Sequence, residues 1–217
     1  MNEQAIQAAA IAEILHPTLA MTEQFLAVNT IVFKEHEPVV EDVILREEEQ
    51  VAEVYFPIEG ERYYFVVSLD VEPQIALRTT GMSAGNRVYF FAKSAELPVD
   101  ELVAMAGVEP TRTWEKGGKR KHIPRHNGFE VRPSLKETGE VEDKLRTLIG
   151  VLLPYTANVH ALAAIADVNV GINIAYWGYK EHMSGIYFGT DIIQGLAALD
   201  LSVDVDLYAG GPDLGAP

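Results

Sequence analysis

Hydrophobic positions near the start of the chain have the spacing of one helix, and those that follow have the spacing of several short strands. In residues 4–15 apolar side chains recur three or four positions apart and stop before Pro17, which predicts a helix. Short β-branched and aromatic runs then alternate with charged or Gly/Pro turns, which predicts a β-meander. Its strands are expected at residues 25–33, 38–45, 51–58, 61–71 and 73–80. A helix over the first half of the first run is an alternative.

After Arg87 the pattern changes to strands that alternate with amphipathic helices. Helices are expected at residues 98–107, 141–153 and 190–199, with a bent helical continuation past Pro154. Strands are expected at residues 87–93, 167–177, 185–189 and 201–208. We therefore predict an α+β fold, an antiparallel β-sheet with helices packed on one face, in which a β-rich N-terminal part precedes a β/α C-terminal part.

Turn-forming residues suggest where the two parts meet. Turns are predicted at residues 58–62, 70–74 and 82–87. The last of these divides an N-terminal helix and meander, residues 1–84, from a C-terminal α+β domain, residues 85–208. The Gly- and Pro-rich residues 209–217 are expected to form a flexible tail. The patterns leave open whether the two parts are separate domains or one continuous sheet.

Charge and cysteine content restrict the function classes. The 217 residues include 17 basic and 32 acidic side chains and no cysteine, for a formal charge of −15. Such a field repels phosphate backbones and anionic membranes and attracts basic proteins, although it also simply keeps a protein soluble. Without cysteine there is no disulfide, thiolate nucleophile or cysteine zinc site. We expect a cytosolic protein with a protein partner, and with neither nucleic acid nor membrane as its partner, since no secretory signal or membrane-spanning run is evident.

The basic residues concentrate in one segment. Residues 93–146 carry 11 basic and 10 acidic side chains, whereas residues 1–92 carry 5 and 15. Within the basic segment, an aromatic ring and cations surround a Gly-Gly pair in a candidate small-ligand or nucleotide site formed by Trp114, Lys116, Lys119, Arg120 and Lys121. The alternative is a solvated hairpin whose tryptophan packs on the core.

A second candidate surface is acidic and aromatic. Glu47, Glu48 and Glu49 form a run that could receive a basic partner, and Tyr63 and Tyr64 could serve as exposed interface anchors. A solvated loop and a second packed layer would explain the same residues.

Catalytic and metal signatures are missing from the sequence. No GxxxxGK[ST], GxGxxG, GxSxG or HExxH pattern occurs. His122 and His126 are four apart, but Pro124 between them disfavours a helix that would pair them as metal ligands. Asp204 and Asp206 fit the solvent-exposed face of a half-buried strand. We expect no catalytic residue, no metal and no cofactor.

One stretch carries a family resemblance. Gly107-Val108-Glu109-Pro110-Thr111 is followed by Trp114, Lys116 and Gly117, and later by an amphipathic helix and an alternating strand. In this order, residues 87–208 resemble the bacterial domain-of-unknown-function family 4279. The resemblance implies an immunity protein that neutralises a cognate toxin by binding, without an active site of its own.

Overall fold

The computed structural model describes residues 2–118 and 123–214 and divides into two compact units. The first unit comprises the described residues of Met1–Gly85, Trp177–Ser184 and Leu207–Pro217. The second comprises those of Asn86–Tyr176 and Gly185–Asp206. The chain therefore leaves the first unit after Gly85 and returns to it twice.

The first unit begins with two helices joined through a buried carboxylate. Helices α1 (Glu3–Leu15) and α2 (Ala20–Leu26) are separated by a short link. Near the end of α1, the Glu13 carboxylate accepts hydrogen bonds from the Thr18 and Leu19 backbone N–H groups at 3.0–3.2 Å. It also accepts bonds from the Thr18 and Thr22 hydroxyls, each at 2.6 Å. Since buried polar groups need partners, Glu13 satisfies the donors of the link that leads into α2 and holds this link against the end of α1.

A four-stranded antiparallel meander follows the helices. A two-residue ribbon, β1 (Phe33–Lys34) with β2 (Glu37–Pro38), leads into it. The meander consists of β3 (Asp42–Arg46), β4 (Val51–Pro57), β5 (Tyr64–Asp70) and β6 (Ala76–Ser83), paired in that order. The predicted helix at residues 4–15, the last four predicted strands of the meander and the α+β class are confirmed.

The core of the first unit lies between the helices and one face of this meander. Its buried side chains come from α1, α2, β4 and β5, and they include stacked rings of Phe25 and Phe65 at 4.6 Å. Tyr179, which comes from far along the chain, is also buried there, with its ring centroid 5.3 Å from that of Tyr63. Residues that are distant in sequence thus complete the same core.

Later strands form a five-stranded sheet in the order β11-β10-β7-β9-β8, and most of their residues belong to the second unit. The strands are β7 (Gly85–Ser94), β8 (Arg112–Trp114), β9 (Asn127–Val131), β10 (Val168–Tyr179) and β11 (Val203–Gly210). β9 pairs antiparallel with β7 and β8. β10 and β11 run parallel, because Ile172 N–H donates to Ser202 C=O and Lys180 N–H donates to Gly210 C=O with the same offset. A helix connects these two strands, as parallel pairing requires.

The helices of the second unit pack on one face of the sheet. They are α3 (Val99–Ala106), α4 (Val141–Leu152), α5 (Thr156–Ala163) and α6 (Thr190–Leu199), with a 3-10 turn at Leu153–Tyr155 between α4 and α5. Lys144 on α4 donates to Asn86 Oδ1 at 2.8 Å, and Asn158 on α5 donates to the Met105 carbonyl of α3. Asn86 shares its face of β7 with the buried Val88 and Phe90. The predicted helices are confirmed, including the bent continuation after α4.

Three expectations are corrected. Residues 25–33 do not form a strand, because the run begins within helix α2, closer to the helical alternative. The predicted strand at 185–189 is irregular, and a side chain binds its backbone, since Tyr187 N–H donates to the Glu142 carboxylate. Residues 82–87 make no hairpin turn, because β6 and β7 follow each other with only Ala84 between them.

The end of the chain also differs from the expected flexible tail. β11 continues to Gly210, two residues further than the pattern predicted. Beyond it, the Tyr179 hydroxyl donates to the Pro212 carbonyl, and Lys180 pairs with Asp213 at 2.5 Å. These contacts hold part of the predicted tail within the first unit.

Candidate binding sites

Charged and aromatic side chains share the helix-free face of the second unit's sheet. On β7 the half-buried Arg87, Tyr89, Phe91 and Lys93 alternate with the residues that face the helices. Phe91 lies opposite Glu130 in the strand register, and Glu130 lies opposite Arg112 on β8. Side chains of directly opposite residues point to the same side, so these groups form one surface.

A buried carboxylate lies at the centre of this surface. Glu130 is only 5% exposed. Its Oε1 lies 2.5 Å from Nη2 of Arg132 and 3.7 Å from Nη1 of Arg112. Two guanidinium groups therefore offset the cost of burying this charge.

Tyr89 lies beside the carboxylate on the central strand. Burial raises the pKa of its phenol, and the charges of Glu130 and Asp206 raise it further, whereas Arg87 and Arg132 lower it. Since the net shift is upward from an already high value, Tyr89 is neutral near pH 7 and can donate a hydrogen bond. This surface therefore offers a neutral phenol and charged side chains that can bind polar groups.

We expect Glu130→Gln to lower the free energy of unfolding by about 2 kcal/mol, because the half-buried Arg132 loses its anionic partner while the side-chain size is kept. Urea denaturation followed by circular dichroism measures the change. Glu115→Gln makes the same replacement at an exposed position and is the control. Equal stability of the two variants would show that the Glu130 ion pairs contribute nothing.

The predicted ligand loop is only partly brought together. The Trp114 ring lies over Gly128, where an added Cβ would come within 2.5 Å of the ring. Lys116 donates through Nζ to the Ala95 carbonyl at 3.2 Å and through its backbone to Asn127. The remaining predicted residues Lys119, Arg120 and Lys121 lie outside the described residues, as does His122.

A cavity of about 760 Å³ lies beside Lys116, between α3 and β8. Its wall is mainly apolar on the helix side and polar near the loop. The residues that line it are Pro98, Val99, Asp100, Val103, Ala104, Pro110, Thr113, Glu115, Lys116 and Asn127. By strand alternation Thr113 faces this cavity while Trp114 faces the other side of the sheet, so the predicted tryptophan does not line it.

The predicted acidic and aromatic surface is divided as well. Glu47, Glu48 and Glu49 lie in the exposed turn between β3 and β4. Tyr63 and Tyr64, in contrast, are 1% and 9% exposed, which corrects the expectation of exposed anchors. The Tyr63 hydroxyl donates to Asn29 Oδ1 at 3.0 Å inside the core, so this side chain serves packing.

An aromatic stack in the first unit was not anticipated from the sequence. The Trp177 and Tyr208 rings stack with centroids 5.5 Å apart at an angle of 12°. The Arg62 guanidinium carbon lies 3.3 Å from the centroid of the Trp177 ring. The alternation that puts Asp204 and Asp206 on the polar face of their strand also puts Tyr208 there, and an aromatic ring on a polar face needs a partner or remains exposed.

Among the described residues, two further kinds of feature are absent. No group of three or more His, Asp or Glu side chains is placed to hold a metal ion there. Within the same residues, every helix is too short or too polar to cross a membrane.

Comparison with known proteins identifies the second half of the chain. A model of the family described as "Domain of unknown function (DUF4279)" matches residues 83–210, a range that includes every strand of the five-stranded sheet. No curated protein and no solved structure matches the chain. The match covers more than half of the chain and confirms the resemblance seen around Gly107–Gly117. The chain therefore belongs to the DUF4279 family.

Proposed function

We propose that the protein is a non-catalytic binding protein that engages a basic protein partner, as an immunity protein does when it neutralises a toxin in the cytosol. The observation that supports this proposal is the Arg62–Trp177–Tyr208 stack in a strongly acidic unit. Tryptophan, tyrosine and arginine are the side chains that most often dominate the binding energy of protein interfaces. Tyr208 is 49% exposed, so its ring is available to a partner.

The charge of the first unit indicates the kind of partner. This unit carries 5 basic and 17 acidic side chains, a net charge of −12, whereas the second carries 12 and 15, a net charge of −3. An acidic field of this size speeds the approach of a positively charged protein and disfavours nucleic acid. Many toxins that act on nucleic acids have basic surfaces for the same physical reason, since they must bind phosphate.

The test uses the protein encoded by the gene next to the one for this chain. We expect co-expression of the full-length chain to restore growth of cells that produce this neighbour. Calorimetry should show a complex whose affinity falls as salt rises, because screening weakens charge attraction. A neighbour that is harmless, or one that is toxic but neither bound nor neutralised, would overturn the proposed function.

A second candidate function is binding of a small ligand or nucleotide beside the Trp114–Arg125 loop. The cavity next to Lys116 favours it, since its volume falls in the range of ligand sites. We expect saturable ATP binding at low salt, weakened about tenfold or more in Lys116→Ala and unchanged in Lys136→Ala. Absence of saturable binding would remove this candidate.

A further inference from the structure

Strand β11 forms an open edge of the five-stranded sheet. Among the described residues it pairs only with β10. The Ser202 and Gly210 carbonyls accept hydrogen bonds from β10, so the backbone N–H and C=O groups of the even-numbered residues in this stretch point toward β10. In a parallel ladder the N–H and C=O groups of the residues between them point the other way. Leu207 and Ala209 therefore present their backbone donors and acceptors to the open edge.

The two halves of β11 differ in how this edge is protected. The first half carries Asp204 and Asp206, and charged side chains are a common means by which proteins prevent an edge strand from pairing. The second half, from Leu207 to Gly210, carries no charge. It instead exposes Leu207 by 60% and Tyr208 by 49%. An edge with free backbone groups and exposed apolar side chains is suited to receive another strand.

Side chains next to this second half supply recognition on both faces. Tyr208 stacks on Trp177, and Trp177 lies against the Arg62 guanidinium. Successive side chains of a strand point to opposite faces, so Leu207 lies on the other side from this stack. A strand added along the edge would have one set of side chains near the aromatic rings and the other set near Leu207.

Charge decides between possible occupants of the edge. A second copy of the chain would bring a charge of −15 toward another −15. The Glu61 carboxylate also lies close to the edge, with Oε2 2.9 Å from the position that a Cβ on Gly210 would take. A segment rich in lysine or arginine gains from the same charges that repel a second copy.

We propose that an extended basic segment of a partner protein adds to the sheet along Leu207–Gly210, a location for the interface that rests on the proposed function. The segment forms main-chain hydrogen bonds with Leu207 and Ala209. Its outward side chains contact the Trp177–Tyr208 stack on one face and Leu207 on the other. Its lysine or arginine side chains lie near Glu61.

The probe is a labelled twelve-residue peptide in which lysine and valine alternate, with a glutamate–valine peptide as its control. We expect the lysine peptide to bind the full chain saturably and to slow hydrogen exchange of the Leu207 and Ala209 amides. Leu207→Lys should weaken binding about tenfold or more, because it removes an apolar contact and adds a like charge. Leu135→Lys places the same charge at another exposed leucine and should leave binding unchanged.

A second variant tests the backbone contribution. Ala209→Pro removes one edge N–H and should also weaken binding of the lysine peptide about tenfold. Binding that is unaffected by both edge variants, exchange protection elsewhere in the chain, absence of binding, or a dimer of the free protein that buries β11 would each overturn the inference. If the peptide protects β11 while the neighbour-encoded protein is not neutralised, the proposed function fails and the docking edge stands. If both edge variants still neutralise the neighbour-encoded protein, the proposed function stands and the docking edge fails.

Discussion

Gly85→Ala is expected to lower the free energy of unfolding by at least about 3 kcal/mol. A Cβ added at Gly85 would lie 1.8 Å from the Arg62 carbonyl oxygen and 3.0 Å from the carbonyl carbon. Both are backbone atoms, so no side-chain rotation can relieve the overlap. Gly85 also begins β7 directly after β6, and neither strand can shift without disturbing its ladder. Urea denaturation followed by circular dichroism measures the loss.

Gly81→Ala is the matched control for this prediction. Gly81 lies in the neighbouring strand β6, and an added Cβ there meets no atom within 4 Å. We expect it to change stability by less than about 0.5 kcal/mol, as is common for substitutions that touch no buried feature. A Gly85→Ala protein as stable as this control would contradict the close approach of Gly85 to Arg62.

Glu13→Ala is expected to cost about 3 kcal/mol of stability. The carboxylate is buried and accepts bonds from two backbone N–H groups and two hydroxyls. Removing it leaves these donors without their acceptor inside the protein, which costs more than the bonds themselves contribute. Thr22 is buried and also bonds to Thr80 on β6, so the loss extends from α2 toward the sheet. Glu23→Ala, an exposed change on α2, is the control.

The cost of Glu13→Ala should depend on pH. Burial alone would raise the pKa of Glu13, but the bonds from Thr18, Thr22 and Leu19 outweigh it and hold the pKa below its ordinary value. Because the pKa of Glu13 is lowered in the folded state, its ionised carboxylate contributes fully to stability above the pKa of the unfolded chain, about 4.3. This contribution is lost as the pH falls through the pKa of the folded state. The stability gap between wild type and Glu13→Ala should therefore narrow below about pH 4. A gap that stays constant down to pH 2 would contradict this assignment.

The helices and strands that the sequence predicts best are those whose local hydrophobic pattern matches the side of the element that is buried in the fold. β4 and β5 are rich in β-branched and aromatic residues, and α4 has apolar residues on one face, so local pattern and tertiary packing agree. Phe25 has a strand-like neighbourhood, yet it lies in α2, a helix that Glu13, twelve positions earlier, contacts through the Thr22 hydroxyl. Tyr187 lies in a run that the sequence predicts as a strand, but in the structure its backbone N–H donates to the Glu142 carboxylate.

Candidate sites were harder to predict than elements, because they depend on residues that are distant in sequence. Trp177 and Tyr208 are brought side by side only by the parallel pairing of β10 and β11 across α6. Glu130 lies in β9, a strand that the sequence patterns did not predict, and only the register places Arg112 opposite it. Tyr63 reads as an exposed anchor until Asn29 and Tyr179 are found to bury it. Pairing between strands is set by the whole fold and is not encoded in any short window.

The two late returns of the chain to the first unit have a consequence for synthesis. Translation delivers α1, α2 and the meander before Tyr179, although the core they enclose also contains this residue. These elements therefore cannot complete their packing until the later segments have followed. Among the described residues, the segments of the second unit are all synthesised before the final return at Leu207. The order of synthesis and the order of folding are thus expected to differ, and a nascent chain cut before Trp177 should keep an incomplete N-terminal core.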